Sequence, residues 1–336
     1  VMAALQNPDV RARRRYVTLL TGIVLLFLSL FAGIAAGAVP ITLREVADVL
    51  AGMTQSENYR IIYYIRMPRV ICAALTGTNL ALAGCILQGI LRNPLADPGI
   101  IGVTAGAGLA AMALMLIAPE LTYFVPFAAF GGAVIASLAV FILAWEHGIH
   151  PLRLILAGVA IAAFFGGGTA ALSVFFSDRI QGTVNWMAGG FTGNSWRHVL
   201  MILPYSIVGI VTTLCSYRKL NALQLGDDVA TSLGVKVERT RFALLALSAL
   251  LAASAVSVAG LLGFVGLIVP HIMRLIVGSD FEFLLPAAGL FGAVLVVLAD
   301  MTARTVFSPV EVPVGIFLSF LGAPFFLYLL KRRMRT

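Results

Sequence analysis

"FALLALSALLAASAVSVAGLLGFVGLIVPHIM", residues 242–273, runs for 32 positions without a lysine, an arginine or an acid. An α-helix needs about 20 apolar residues to cross a bilayer, so one crossing cannot use them all. Gly260, Gly263, Gly266 and Pro270 interrupt the run, and these residue types end or bend helices. The stretch therefore reads as parts of two spans joined at a turn. The choice decides the topology, because it sets whether the number of crossings is odd or even.

Working outward, further apolar runs lie at 16–39, 70–91, 98–119, 121–145, 154–177, 198–217, 283–299 and 312–330. With two spans from 242–273 the count is ten. The composition agrees: 60% of residues are hydrophobic and only 11% charged, with a mean hydropathy of +0.99. A soluble domain carries about 25% charged residues and could not hide this much apolar surface. The expected fold class is all-α, a polytopic membrane protein with ten transmembrane helices in a single domain over residues 1–336. The first run follows "RARRR" (11–15), as a signal peptide would, but it exceeds the 7–15 residues of a signal core. It reads as a span that stays. The cysteines Cys72, Cys85 and Cys215 all fall in apolar runs and form neither a disulfide framework nor a metal-ligand spacing.

Basic residues set the orientation, since cytoplasmic ends are enriched in them. Arg11, Arg13, Arg14 and Arg15 precede the first span, and Lys331, Arg332, Arg333 and Arg335 follow the last. Both ends are thus expected in the cytoplasm, which requires an even number of crossings. Ten then places Arg92, 147–153, 218–241 and 274–282 inside, and 40–66, 178–197 and 300–311 outside. The segments "AGCILQGILRNP" (83–94) and "AGLLGFVGLIVP" (259–270) share four positions and would run in opposite directions, a faint echo of an inverted repeat.

Several chemistries are missing from the sequence. The lysines are Lys219, Lys236 and Lys331, none within a phosphate-binding G-x-x-x-x-G-K-[ST] loop. No His-Glu-x-x-His pair exists, and few of the fifteen acids lie deep in a span. Ion-coupled carriers usually keep acids or broken helices at mid-membrane. The energy source is expected on another chain. Against that background "LQLGDDVATSLGV" (223–235) is conspicuous. Asp227 or Asp228 can cap a helix and complement its dipole. Leu225, Val229 and Leu233 recur every four residues as one apolar face, and Gly234 stands where a helix stops. That face has two open partners: the protein's own spans or the lipid interface, and a cytoplasmic motor.

The motifs "IRMPR" (65–69), "LAGCILQGILRNPLADPGIIGVTAGAG" (82–108), "LRLILAGVAI" (152–161), "WMAGGF" (186–191), "LGDDVATSLGV" (225–235), "GFVGLIVPHIMR" (263–274), "LLPAAGLFGA" (284–293) and "VPVGIFLSFLGAPFFLYLL" (312–330) occur in order. Over about residues 60–330 the chain resembles the FecCD/cobalamin-type permeases, the membrane subunits of ABC importers for iron–siderophores, haem and vitamin B12. The resemblance implies a cobalamin-permease-like, type II importer fold in a bacterial cytoplasmic membrane. It also implies a second permease copy, identical or paralogous, two separate ATPase subunits inside and a substrate-binding protein outside. Coupling helices at about 218–240 would engage the ATPase through Leu225, Gly226, Asp227, Asp228, Val229, Leu233 and Gly234. Arg66, Arg69 and Arg304 match the arginines that receive the binding protein's glutamates, although snorkelling anchors would carry the same residues. Asn93 and Leu95 match a cytoplasmic gate facing Pro151 and Leu152, where "HGIHPLR" departs from the more polar loop of cobalamin-type relatives. No catalytic residue, cofactor, metal or nucleic acid is expected. His271, His147 and His150 read as structural. The glycines at 102, 106, 108 and 166–168 read as close helix contacts, with the triple glycine also a candidate flexible point. The expected cargo is an iron–siderophore, with haem or cobalamin as the alternative. A stand-alone secondary transporter is the alternative from another class.

Overall fold

The computed structural model describes residues 8–54, 57–146, 151–306, 308 and 310–333. Its α-helices are α1 Pro8–Ala35, α2 Leu43–Leu50, α3 Met67–Ile90, α4 Val103–Ile117, α5 Val125–Ala144, α6 Pro151–Phe175 and α7 Gln181–Met187. They continue as α8 Trp196–Cys215, α9 Tyr217–Gln224, α10 Asp227–Ser232, α11 Val237–Ala259, α12 Val265–Val277, α13 Phe281–Thr305 and α14 Val314–Arg333. A π-helical turn, Ile61–Arg66, runs straight into α3. Among the described residues there is no β-strand.

Among the described residues, seven helices are long and apolar enough to cross a bilayer, and three shorter apolar helices, Val103–Ile117, Val265–Val277 and Val314–Leu327, accompany them. Together they fall one to one on the ten expected runs. The 242–273 stretch breaks as expected, but at one place only. α11 ends at Gly260 (φ 67°), and α12 starts after Phe264 (φ 68°). Gly266 and Pro270 lie inside α12 rather than at the break. Pro270 has no N–H to offer the carbonyl of Gly266 four residues back. Gln88 Nε2 of α3 supplies that donor at 3.2 Å, so the proline costs no unsatisfied group in a membrane interior.

α3 is the axis of the bundle and packs against α13, α11, α12 and α8. Its approach to α13 is set by glycine: a Cβ on Gly77 would overlap the carbonyl oxygen of Gly292, and the reverse. Small residues let backbones pack closely where lipid leaves little hydrophobic drive between helices. Asn79 Nδ2 of α3 donates to Ser206 Oγ of α8 (2.8 Å) and Ser254 Oγ of α11 (3.0 Å), joining three helices inside the bundle. By contrast α6 is the least buried long span. Gly106 does make a close helix contact, with Gly132 of α5, but Gly166 and Gly167 face open space. The close-contact reading therefore fails for those two glycines within this chain, because α6 has no neighbour on that face. Cys72 and Cys85 are buried, whereas Cys215 is exposed. In the echo between 83–94 and 259–270 the shared glycines take different places: Gly84 sits in mid-helix, and Gly260 caps α11.

The contacts between loops sort into two ends. Arg15 bonds Val277 O at 3.1 Å, and Asn221 bonds Asp280 at 2.9 Å. At the opposite end Trp196 donates to Tyr63 O (2.8 Å), Gly190 to Ala259 O (2.8 Å) and Gly315 to Gly189 O (3.0 Å). The Arg15–Val277, Asn221–Asp280 and Trp196–Tyr63 contacts each join segments that the charge count puts on the same side. The end carrying Arg15 is called inner, and the other outer.

Candidate functional site

At the inner end, the sequence reading of one short helix becomes two. α9 and α10 are broken at Leu225–Gly226, where Gly226 adopts φ 114°, and the unit ends on Gly234 at φ 82°. Asp227 does not cap α10, because Gly226 occupies the cap position. Its carboxylate is taken by two arginines instead. Arg241, at the start of α11, donates to Oδ1 at 3.0 Å and Oδ2 at 3.1 Å. Arg92, at the end of α3, reaches Oδ1 as well and donates through Nε to Leu223 O at 2.9 Å. Burial works against the charge on Asp227, but Arg241 foremost and Arg92 after it hold the carboxyl below its ordinary range. α9 is tied separately: Asn221 Nδ2 donates to Asp280, and Asn221 Oδ1 accepts Phe281 N, both at 2.9 Å.

These bonds fix the polar side of the unit and leave its apolar side bare. Leu225, Val229 and Leu233 are 63%, 44% and 63% exposed. The apolar stripe is therefore not spent on the protein's own spans. Asp228 is also exposed.

The residues expected at a gate lie in two places, Asn93 and Leu95 after α3 and Pro151 and Leu152 at the start of α6. Pro94 follows the end of α3, where a helix cannot continue, and Asn93 Oδ1 accepts Leu95 N at 3.1 Å to shape the turn. Asp97 then caps the turn Pro98–Ile101 through Gly99 N at 2.9 Å. Burial pushes the Asp97 carboxyl up, against that bond. Pro151 opens α6, and Leu152 is 68% exposed. His147 and His150 lie outside the described residues.

At the outer end, Arg66, Arg69 and Arg304 come together, but turned into the protein, with exposures of 5%, 8% and 6%. The expectation of arginines presented at the surface is thus met by a buried cluster. The physical cause is the C-terminus of α1, whose last carbonyls have no helical donors. Arg66 Nη1 donates to Ile34 O (2.9 Å) and Ala35 O (2.6 Å), and Arg304 Nη2 takes Gly33 O. Cations at that helix end also complement its dipole. Arg69 grips Asp300 with two nitrogens, Nε to Oδ2 at 3.0 Å and Nη2 to Oδ1 at 2.9 Å. Its Nη1 holds Glu311 at 2.8 Å, and Thr192 Oγ1 donates to the same carboxylate at 3.1 Å. Three guanidiniums face two carboxylates, leaving one positive charge in excess. Burial works against the charge on Glu311, but Arg69 and Thr192 hold its carboxyl below the ordinary range.

Sequence reasoning missed Asp300, Glu311, Arg92 and Arg241 as partners. A signal existed for the first: an acid inside a span with Arg304 four residues on demands a counter-ion. Next to Glu311 opens a cavity of about 590 Å³, lined among others by Asn185, Trp186, Asn194 and His198. No group of His, Cys, Asp and Glu among the described residues could hold a metal ion.

Comparison with known proteins fits this geometry. Residues 23–332 match the FecCD transport family. The iron(III)-citrate import system permease of Bacillus subtilis is 39% identical over 318 residues, covering 94% of this chain and 95% of that protein. The cobalamin import system permease of Halobacterium salinarum is 40% identical over 304 residues, covering 89% and 82%. A metal-chelate type ABC transporter solved in an inward-facing conformation superposes with a TM-score of 0.80 at 29% identity, covering 94% of this chain and 98% of that one. The chain belongs to the FecCD transport family, the membrane permease subunits of ABC importers.

Proposed function

We propose that this chain passes an iron(III) chelate, of the iron–siderophore kind, into the cytoplasm as one half of a permease pair. The observation that carries the cargo is the likeness along 94% of the chain to an iron(III)-citrate permease. All 336 residues act as one transport domain in a bacterial cytoplasmic membrane, with both termini inside. The exposed face of α6 suits a second permease copy, because the least buried long span otherwise presents Leu156, Val159 and Phe164 to lipid. Asn93 and Leu95 of one copy and Pro151 and Leu152 close the inner gate.

Two ATPase subunits supply the work. Leu225, Val229 and Leu233 insert as the apolar face of the coupling unit, with Gly226, Asp227, Asp228 and Gly234 shaping it. Closure of the ATPases on ATP then moves the unit and opens the path by alternating access. At the outer end a binding protein delivers the chelate. Arg66, Arg69 and Arg304 give that end its positive centre. Glu311, the half-exposed acid of the cluster, occupies the guanidinium that an incoming carboxylate would take.

A second cargo is favoured by one observation, the 40% identity to a cobalamin permease. The test is reconstitution of the chain with its ATPase and binding protein in vesicles. ATP-dependent uptake of radio-iron from ferric citrate or a ferric hydroxamate is the expected result. Uptake of cobalamin alone would replace the cargo. Uptake by the chain without any ATPase would overturn the importer reading in favour of a stand-alone carrier.

A further inference from the structure

The joint between the exposed unit α9–α10 and the membrane core is built on one carboxylate, and its construction suggests a task. Arg92 is the residue just past the C-terminus of α3, a place where the backbone turns left-handed and glycine is the usual occupant. Here it is an arginine at φ 48°. A side chain at that position accepts a conformational cost, of order 1–3 kcal/mol, that glycine would not. What the side chain does in return is reach α9 at Leu223 O and α10 at Asp227. Arg241 approaches the same carboxylate from α11, its own side chain only 6% exposed and steadied by Glu238 at 3.0 Å. α3 and α11 are the two most buried spans, each 78% buried along its apolar window. Asp228, the next residue, takes no part in this grip and points away to solvent.

We propose that Asp227 is the positioning residue for coupling: held between Arg92 and Arg241, it passes displacement of the α9–α10 unit to the inner ends of α3 and α11. The apolar stripe makes the unit a handle, and Asp227 makes it a lever. Displacing an untethered helix would spend the motion in the loops 225–226 and 233–236. Displacing one pinned to two buried spans must move those spans or break the pins. α13 is pinned as well, on the other helix of the unit, by the Asn221 amide, which donates to the Asp280 carboxylate and accepts from Phe281 N. The proposal rests on the importer reading above.

The test has two arms. In the first, hydrogen exchange is measured across 217–241 on the full chain in nanodiscs. Asp227→Asn is expected to raise exchange in 223–232 about threefold to fivefold, with Asp227→Glu recovering most of the protection and Asp228→Asn matching wild type. Unchanged protection in Asp227→Asn overturns the joint, whatever the chain transports. In the second arm, the reconstituted complex is assayed for ATP hydrolysis and for chelate taken up per ATP. Asp227→Asn is expected to keep hydrolysis within about twofold while uptake per ATP falls about tenfold. Asp227→Asn combined with Arg241→Gln should fall no further than the worse single variant, since both remove one contact. Arg241→Gln alone leaves the Asp227 charge in place and is expected to lose as much; intact coupling in Arg241→Gln overturns the proposal in favour of a surface charge read by the ATPase. Loosened exchange with unchanged uptake per ATP overturns the transmitting role alone. Wild-type uptake that needs no ATP overturns the importer reading, and the transmitting role with it.

Discussion

The axial helix α3 carries arginines at both ends, and the two ends use them differently. At the outer end Arg66 and Arg69, with Arg304 of α13, are buried against Asp300, Glu311 and the last carbonyls of α1. At the inner end Arg92 and Asp227 are each more than 40% exposed at the side chain, and only Arg241 is buried. Charge pairs in a low-dielectric interior are costly to break, because each partner left behind is an uncompensated ion. Half-solvated pairs are cheap to break and to remake. The outer cluster therefore holds α1, α3 and α13 as a fixed unit, and the inner joint is a weaker pin that water and salt reach.

The sharpest way to break this comparison is to delete one acid at each end. Asp300→Ala removes the buried carboxylate that faces both Arg69 and Arg304 and should destabilise the chain by about 3–5 kcal/mol. Asp227→Ala should cost no more than about 1 kcal/mol. Thermal unfolding of the two purified variants in the same detergent decides, and equal losses would erase the distinction between the ends. Next in size is an effect on work rather than on folding. Val229→Glu with Leu233→Glu alters an exposed face, so the fold should hold to within about 1 kcal/mol. Uptake per ATP should fall at least tenfold, or about 1.4 kcal/mol, when vesicles containing the complex are assayed. Intact coupling would put the handle elsewhere. Smaller again is Glu311→Gln, which frees one guanidinium nitrogen at the outer end. Binding-protein affinity should rise by about two- to five-fold, a rim-charge effect, as measured by surface plasmon resonance on the reconstituted permease. A weaker complex would argue that Glu311 itself is part of the docking surface.

The spans and the grouping of loops could be read from the sequence because both follow from one-dimensional quantities, the length of apolar runs and the placement of Arg and Lys. The split of 242–273 was readable for the same reason. Its exact hinge was not: Gly260, Gly263, Gly266 and Pro270 look alike as breakers, and only Gln88, 178 residues from the Gly266 carbonyl it donates to, explains why Pro270 can stay within a helix. α2 had a local signal that went unused, since Thr42 and Glu45 form a reciprocal cap ahead of the buried Val46 and Val49. The candidate site was legible as a set of residues and not as a set of bonds. "RMPR" announces cations near a span, but which carboxylate they meet lies 231 and 242 positions along the chain. In the same way Asp227 read as a helix cap because caps are local, whereas its partner Arg92 is 135 positions away.

The finest difference between the ends concerns protons. Asp227 and Glu311 both titrate below their ordinary values, 3.8 and 4.5. For a carboxylate with a depressed folded value, the stabilisation is complete above the ordinary value and is lost as pH falls through the depressed one. The stability difference between wild type and Glu311→Gln should thus be constant from pH 7 down to about 5 and shrink toward pH 3. The same holds for Asp227→Asn, each difference being under about 1 kcal/mol after solvent screening. Salt separates the two ends further. At about 1 M the Debye length is about 3 Å, so the Asp227 difference should largely vanish at pH 7. The penalty of Asp300→Ala should persist under the same conditions, since Asp300 is 2% exposed and the buried guanidiniums beside it are beyond the reach of counter-ions. Chemical unfolding in detergent at low and high salt measures both. A salt-insensitive Asp227 difference would mean that the inner joint is shielded like the outer cluster, and the contrast between the two ends would vanish.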